Sequence, residues 1–402
     1  MQLIIESDRV TVPGLVNVHS HCFQRAIRGR TEYRSSAHHD SFWTWRDAMY
    51  RAASHLSPED IYHIARMAFL EMLLAGITTV GEFHYLHNAP DGSRYDDPNL
   101  LAHEVIRAAQ DVGLRIVLLR TAYARSGWQM PPNPLQSRFI TPSADVFIKD
   151  TEALRHALPG VTIGIAPHSV RALPLAYLLE IVSYAHANQL PVHMHVAEQP
   201  AEIEACLAEH GLRPVELLAK HGVLDASFTA IHAIHITDEE IEMLAAAKAR
   251  VCACPTTERN LGDGAVPADR LREAGVEICF GSDSNVQIDL LEDARSLEYH
   301  LRMAKLQRAV LPPEALMSGL TEIGQTALAL SNQPGDFFTL DLNDPSIAGA
   351  DAESLLATVL FSANRTTVRD VFVNGQRIVE NARHPLQDEI VQKFREVCRR
   401  LK

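Results

Sequence analysis

The sequence predicts an α/β protein whose main body is a (β/α)8 TIM barrel. Two observations carry that reading. From residue 14 onward, short apolar runs alternate with longer amphipathic stretches, as strands and helices do in βαβ units. Eight such runs follow one another, at 14–21, 77–84, 115–122, 162–168, 191–197, 228–235, 250–256 and 277–283, and the residues that end them are polar. An open doubly wound sheet would place a Gly-rich phosphate loop after a strand, and none of these runs is followed by one.

Residues 1–13 leave room for only one or two short strands of a small β module, ahead of a barrel spanning 14–330. Helical stretches between the barrel strands fall at 58–75, 99–112, 174–188, 238–247 and 267–274. The first of these opens on Ser57-Pro58-Glu59-Asp60, an N-cap followed by proline and an acidic first turn. A long helix is expected over 289–306. Residues 331–385 then change character: Asp336-Phe-Phe-Thr-Leu-Asp-Leu and Val371-Phe-Val-Asn-Gly-Gln-Arg-Ile-Val read as strands, the latter folded at Asn374-Gly375. With residues 1–13 they predict a small, truncated β-sandwich module formed by the chain ends. Residues 386–402 read as a terminal amphipathic helix.

With 402 residues, 47% of them hydrophobic and 22% charged, the chain has enough apolar surface for a large core. A net charge of −13 argues against nucleic acid or an anionic membrane surface as partner, and an anionic substrate would need local arginines. No apolar stretch of transmembrane length appears, and the start lacks the features of a signal peptide, so a cytoplasmic protein is expected. The six cysteines are scattered, with no second pair to match Cys252 and Cys254, which predicts reduced and mostly buried thiols.

Active sites of such barrels form at the carboxyl ends of the strands. The first strand ends in His19-Ser-His21, two imidazoles that alternation sends to one side. Later strands end in Glu82-Phe-His84-Tyr85, Pro167-His168-Ser169 followed by Arg171, His193-Met-His195-Val-Ala-Glu198, His232 with His235, and Gly281-Ser282-Asp283. One histidine among 20 is ordinary. Their convergence on one barrel face selects His19, His21, His195 and Asp283 as ligands for one divalent ion, Zn2+ first, with an open position for water. Glu198, just past its strand, fits the general base and His232 the group that steadies developing charge. His193 lies a layer deeper than His195, and His235 faces away from His232; both are read as structural.

This ordered set resembles the amidohydrolase superfamily in its mononuclear deaminase branch, over nearly the whole chain. The strand ending Pro167-His168 has no lysine of the kind that bridges two metals, so the resemblance implies one ion. Within the branch, His19-Ser-His-Cys-Phe-Gln-Arg, Asp40-Ser-Phe-Trp-Thr-Trp-Arg-Asp, Glu82-Phe-His-Tyr, His168-Ser-Val-Arg-Ala and Asn260-Leu-Gly-Asp-Gly resemble the formimidoylglutamate deiminase family of histidine degradation. The resemblance implies that Gln24, Arg46, Tyr85, His168 and Arg171 hold the substrate, that His19, His21, His195 and Asp283 bind zinc, and that Glu198 and His232 are base and partner, with Asp283 sharing proton traffic.

The implied reaction is hydrolytic deamination of N-formimidoyl-L-glutamate to N-formyl-L-glutamate and ammonia. Its two carboxylates suit the planar forks of Arg46 and Arg171. A small anionic substrate and a homodimer are the expected partners. Deamination of another small amidine or a nucleobase-related ring stays open, as do a non-deaminating amidohydrolase and a metal-bearing silent scaffold. Two positions depart from the family pattern: Arg259 is expected to add a charge near the site, and Asn285 stands where such deiminases tend to carry a histidine.

Overall fold

The chain opens with two short strands, β1 (Ile4–Glu6) and β2 (Arg9–Pro13), that precede the barrel. In the computed structural model, residues 3–6, 8–32 and 42–401 are described; Asp40 and Ser41 of the Trp-rich run lie outside them. Along β2 burial alternates, with Val10 and Val12 fully buried, because one face packs on the protein and the other faces solvent.

The barrel strands are β3 (Leu15–Ser20), β4 (Ile77–His84), β5 (Arg115–Ala122), β6 (Thr162–Pro167), β7 (Val192–Val196), β8 (Phe228–His232), β9 (Arg250–Ala253) and β10 (Ile278–Phe280). They lie in chain order, each parallel to the next. β3 and β4 are buried at every position, as strands covered on both faces must be.

Backbone hydrogen bonds from His21 N–H to Asp283 O and from Asp283 N–H to His19 O, both 2.9 Å, bring the far edge back to the first strand. Gly281 permits that approach, since a Cβ there would stand 2.8 Å from His19 O and 3.0 Å from its N. Three of the four residues expected to hold the metal, His19, His21 and Asp283, thus also make the seam of the barrel.

Three strands end earlier than expected. β8 stops at His232, where His232 and Ala233 turn left-handed (φ +71° and +51°). Pro255 has no N–H to continue a ladder and opens the helix Pro255–Leu261 instead, while β10 covers only three residues. The helices Pro58–Leu74, Leu100–Val112, Leu175–Ala187, Asp238–Ala247, Ala268–Glu273 and Leu290–Lys305 fall where the pattern placed them. Ser57 is the expected N-cap, and its side chain and that of Asp60 cap each other's backbone N–H reciprocally.

The strands β11 (Phe337–Asp341), β12 (Val368–Val373) and β13 (Gln376–Val379) join β1 and β2 in one antiparallel sheet of order β1-β2-β11-β12-β13. The expected module from the chain ends is therefore present, but as a single sheet and not as a two-layer sandwich. The helix Pro58–Leu74 packs against β12 and β13 and takes the place a second sheet would have. Asn374 and Gly375, both at positive φ, turn β12 into β13. Helix Gln387–Arg400 is the expected terminal helix, and it pairs its Glu389 with Arg66 at 2.8 and 2.9 Å. Among the described residues all six cysteines are free, five of them buried, and no helix is long and apolar enough to cross a membrane.

Candidate active site

The carboxyl ends of β3, β7 and β10 bring His19, His21, His195 and Asp283 into one buried group whose ligand atoms all lie within 4.8 Å of one another. His19 Nε2 and His21 Nε2 each stand 3.3 Å from Asp283 Oδ1. The tautomers are fixed from behind: His21 donates from Nδ1 to Phe83 O and His195 from Nδ1 to His168 O, both at 3.0 Å. Their Nε2 lone pairs consequently face each other across 3.4 Å. Two lone pairs at that distance repel unless a cation lies between them, and the buried Nε2 of His19, with no hydrogen-bond partner, points to the same need. The donor set of three imidazoles and a carboxylate fits a divalent ion with zinc-like preferences.

Electrostatics sharpen the division of roles. Burial, reinforced by the neighbouring imidazoles, pushes His21 down to about 3 and His195 well below the usual histidine range, so both stay neutral, each with a lone pair free for a cation. Burial would raise Asp283, but the adjacent imidazoles, His19 first at 3.3 Å, overcome it and hold the carboxylate below its ordinary range.

His232 behaves oppositely. Burial opposes its charge, yet Glu198, the hydrogen bond to Glu258, Cys254 and Asp283 raise it well above the ordinary value. Its Nδ1 donates to Glu258 Oε1 at 3.2 Å, and its Nε2 stands 3.6 Å from Glu198 Oε1 and 3.7 Å from Asp283 Oδ2. Glu198 is pushed up to about 8 by burial, against the pull of His232. A carboxyl balanced near neutrality can accept a proton and give it back. Ala197, His232 and Asp283 all carry left-handed backbone, three non-glycine residues bent where the strands hand over to the site.

Above this group a cleft is lined by Gln24, Arg46, Tyr85, His168, Arg171 and Glu198, together with His21, His195 and Asp283. All five residues expected to hold substrate therefore open onto the same space as three of the four candidate ligands. Arg46 lies over the Trp43 ring at 4.4 Å and leaves its buried Nε unpartnered. Gln24 donates to the Tyr85 hydroxyl at 2.9 Å and keeps a buried, free Oε1.

Residues 10–378 match the amidohydrolase family. The chain belongs to that family. Among amidohydrolases and deaminases it is 36% identical to formimidoylglutamate deiminase of Pseudomonas aeruginosa, over 96% of this chain and 88% of the relative. It is 26% identical to the 5-methylthioadenosine/S-adenosylhomocysteine deaminase of Syntrophomonas wolfei, over 99% and 88%.

Of solved structures, an amidohydrolase from Brucella melitensis matches with a TM-score of 0.91 at 35% identity, over 99% of this chain and 95% of that one. A zinc-bound adenosine deaminase from Xanthomonas campestris shares the fold with a TM-score of 0.83 at 21% identity, over 98% and 86%. The chain is thus an amidohydrolase-family deaminase, a hydrolase of carbon–nitrogen bonds.

Within this amidohydrolase framework several sequence expectations change. Arg259 does not reach the cleft: it bonds Glu292 and Gln287, each at 3.0 Å, and Ser296 at 2.9 Å, so its charge is spent on helix Leu290–Lys305. The preceding residue matters instead. Glu258, buried, accepts from Cys254 N–H at 2.8 Å and from His232, a partnership with no sequence signal beyond a lone acid after Pro255-Thr-Thr.

Asn285 is a structural residue. Its Oδ1 accepts from Ser282 at 2.6 Å and its Nδ2 donates to Ser20 at 3.0 Å, tying the Asp283 turn to β3. His193 donates to Ala327 O at 2.8 Å and His235 to Asp263 O at 2.9 Å, outside the ligand group as expected. Tyr50, on the helix Phe42–Ala53, also lines the cleft and escaped sequence reading because nothing in its run marks a phenol as more than packing.

Proposed function

We propose that this chain hydrolyses N-formimidoyl-L-glutamate to N-formyl-L-glutamate and ammonia with one divalent ion, zinc, held by His19, His21, His195 and Asp283. The observation that carries the substrate is the presence of Arg46 and Arg171 on the cleft above that group, two permanent cations matched to two carboxylates. The 36% identity to a formimidoylglutamate deiminase supports the same reading. A neutral purine would leave both guanidiniums without a counter-charge. A bound divalent ion supplies Lewis acidity that lowers the pKa of water at the site.

The remaining work falls to side chains. Arg46 and Arg171 fix the glutamate portion, so the formimidoyl carbon is presented toward Glu198. Glu198 takes a proton from the attacking water and returns it to the amidine nitrogen. The carbon–nitrogen bond then breaks and ammonia departs, leaving the formyl oxygen. His232, charged and anchored by Glu258, donates toward the oxygen as negative charge grows there. Asp283 shares the proton traffic through its second oxygen, beside His232.

The test is ammonia release by zinc-loaded protein from N-formimidoyl-L-glutamate, compared with adenosine- and guanine-type substrates, in the wild type and in Arg46→Met and Arg171→Met. A charge-assisted fork contributes about 1.5–3 kcal/mol, so each variant is expected to lose roughly 10–150-fold in kcat/KM. Faster turnover of the purine substrates, or unchanged kcat/KM in both variants, would overturn the reading.

A further inference from the structure

We propose that the Tyr50 hydroxyl, between Arg46 and Arg171, is a further donor to one of the two substrate carboxylates that those arginines bind, and so a determinant of the preference for a dicarboxylate. The inference rests on the substrate reading above and deepens it. It follows from counting protons in a buried network behind the cleft.

The Ser126 hydroxyl accepts from Asn133 N–H at 2.9 Å and donates to Gln136 Oε1 at 2.6 Å, which turns the Gln136 amide nitrogen toward two phenols. That nitrogen donates its two hydrogens to Tyr123 at 2.8 Å and to Tyr50 at 3.0 Å. Tyr123 also accepts from Arg171 Nη1 at 3.5 Å, which fills its acceptor capacity. Its own proton then goes to the Tyr50 oxygen, 3.3 Å away. Tyr50 now accepts twice, and its proton has no acceptor among the described residues.

That unassigned proton sits on a cleft-lining residue. The Arg46 guanidinium lies 5.5 Å from the Tyr50 ring centroid, and Arg171 is its neighbour through Tyr123. A donor flanked by two cations is built for an anionic oxygen. Burial, followed by the proximity of Tyr123, holds the Tyr50 phenol above its ordinary range, so the proton is present at any working pH.

Metal-loaded wild type and Tyr50→Phe are assayed with N-formimidoyl-L-glutamate and with analogues lacking one or the other carboxylate. The variant is expected to lose about 10–100-fold in kcat/KM on the diacid, mainly through KM, while one mono-carboxylate analogue is handled within about twofold of wild type. Equal losses on all three substrates, or none, would overturn the proposal.

Should wild type release no ammonia from the diacid, the substrate reading fails by itself. Calorimetric titration with glutarate then decides on Tyr50, with weaker binding by Tyr50→Phe expected and equal binding overturning it. Gln136→Glu guards against a folding defect in the first variant. Its carboxylate draws both phenol protons toward itself, so it should weaken diacid binding several-fold more in wild type than in the Tyr50→Phe background. An equal effect in both backgrounds would likewise overturn the proposal.

Discussion

Glu198 and His232 stand 3.6 Å apart and pull each other toward the charged state, while burial resists it. Removing the acid–base function of Glu198 without its volume isolates that role. Glu198→Gln is expected to keep its metal, by elemental analysis, and to lose about 10²–10⁴ in turnover. Near-normal turnover would assign the base elsewhere.

A second acid makes a prediction about stability. Burial raises Glu82 from 4.5 to about 7, although it accepts from Cys22 N–H at 2.7 Å. The native chain therefore keeps a proton that the unfolded chain releases above about pH 4.5. The Glu82 contribution is full below that pH and is lost as pH rises toward 7, by roughly 3 kcal/mol in all. Urea unfolding across this window should show a shallower fall for Glu82→Gln than for wild type, and parallel curves would refute the assignment.

At the scale of elements, the point that decides the site is Gly281. A methyl there meets the His19 backbone, not a flexible side chain, so Gly281→Ala should push β10 away from β3. The expected outcome is a lower melting temperature together with weaker metal binding, measured beside Gly160→Ala, where a Cβ meets nothing within 4 Å. Full metal affinity in Gly281→Ala would show that the seam does not shape the ligand group.

Much of this geometry was legible in the sequence because it is periodic. The strand alternation that sends His19 and His21 to one side, and the polar residue after each apolar run, follow from backbone repeat alone. What was not legible depends on where repeats break. The left-handed turn at His232 shortens β8, and the proline at 255 swings Glu258 under His232 while turning Arg259 outward. Neither has a local period to announce it. Tyr50 is hidden for a related reason, since its partners Gln136 and Tyr123 come from distant segments.

At the scale of the whole molecule, the sheet made by the chain ends is tied to the barrel through Asp336. Its carboxylate accepts from Arg115 at 2.9 and 3.0 Å and from Asn374 N–H at 2.8 Å, and its carbonyl accepts from Gly14 N–H at 2.9 Å, just before β3. Arg115 is partly exposed and Asp336 buried, so removing the carboxylate in Asp336→Ala should cost about 1.5–3 kcal/mol. Chemical denaturation is expected to show an earlier midpoint with one transition. Two separated transitions would mean that sheet and barrel unfold independently.

The closure of the barrel through the backbones of His19, His21 and Asp283 has a consequence in time. A nascent chain carries two imidazoles at the end of the first barrel strand, but the carboxylate that completes the set is delivered only after the last. Until then the group lacks the carboxylate that stands 3.3 Å from both His19 and His21. Competence for hydrolysis is therefore expected to arrive in one late step, and a truncated product lacking β10 is expected to be inactive even where a divalent ion is abundant.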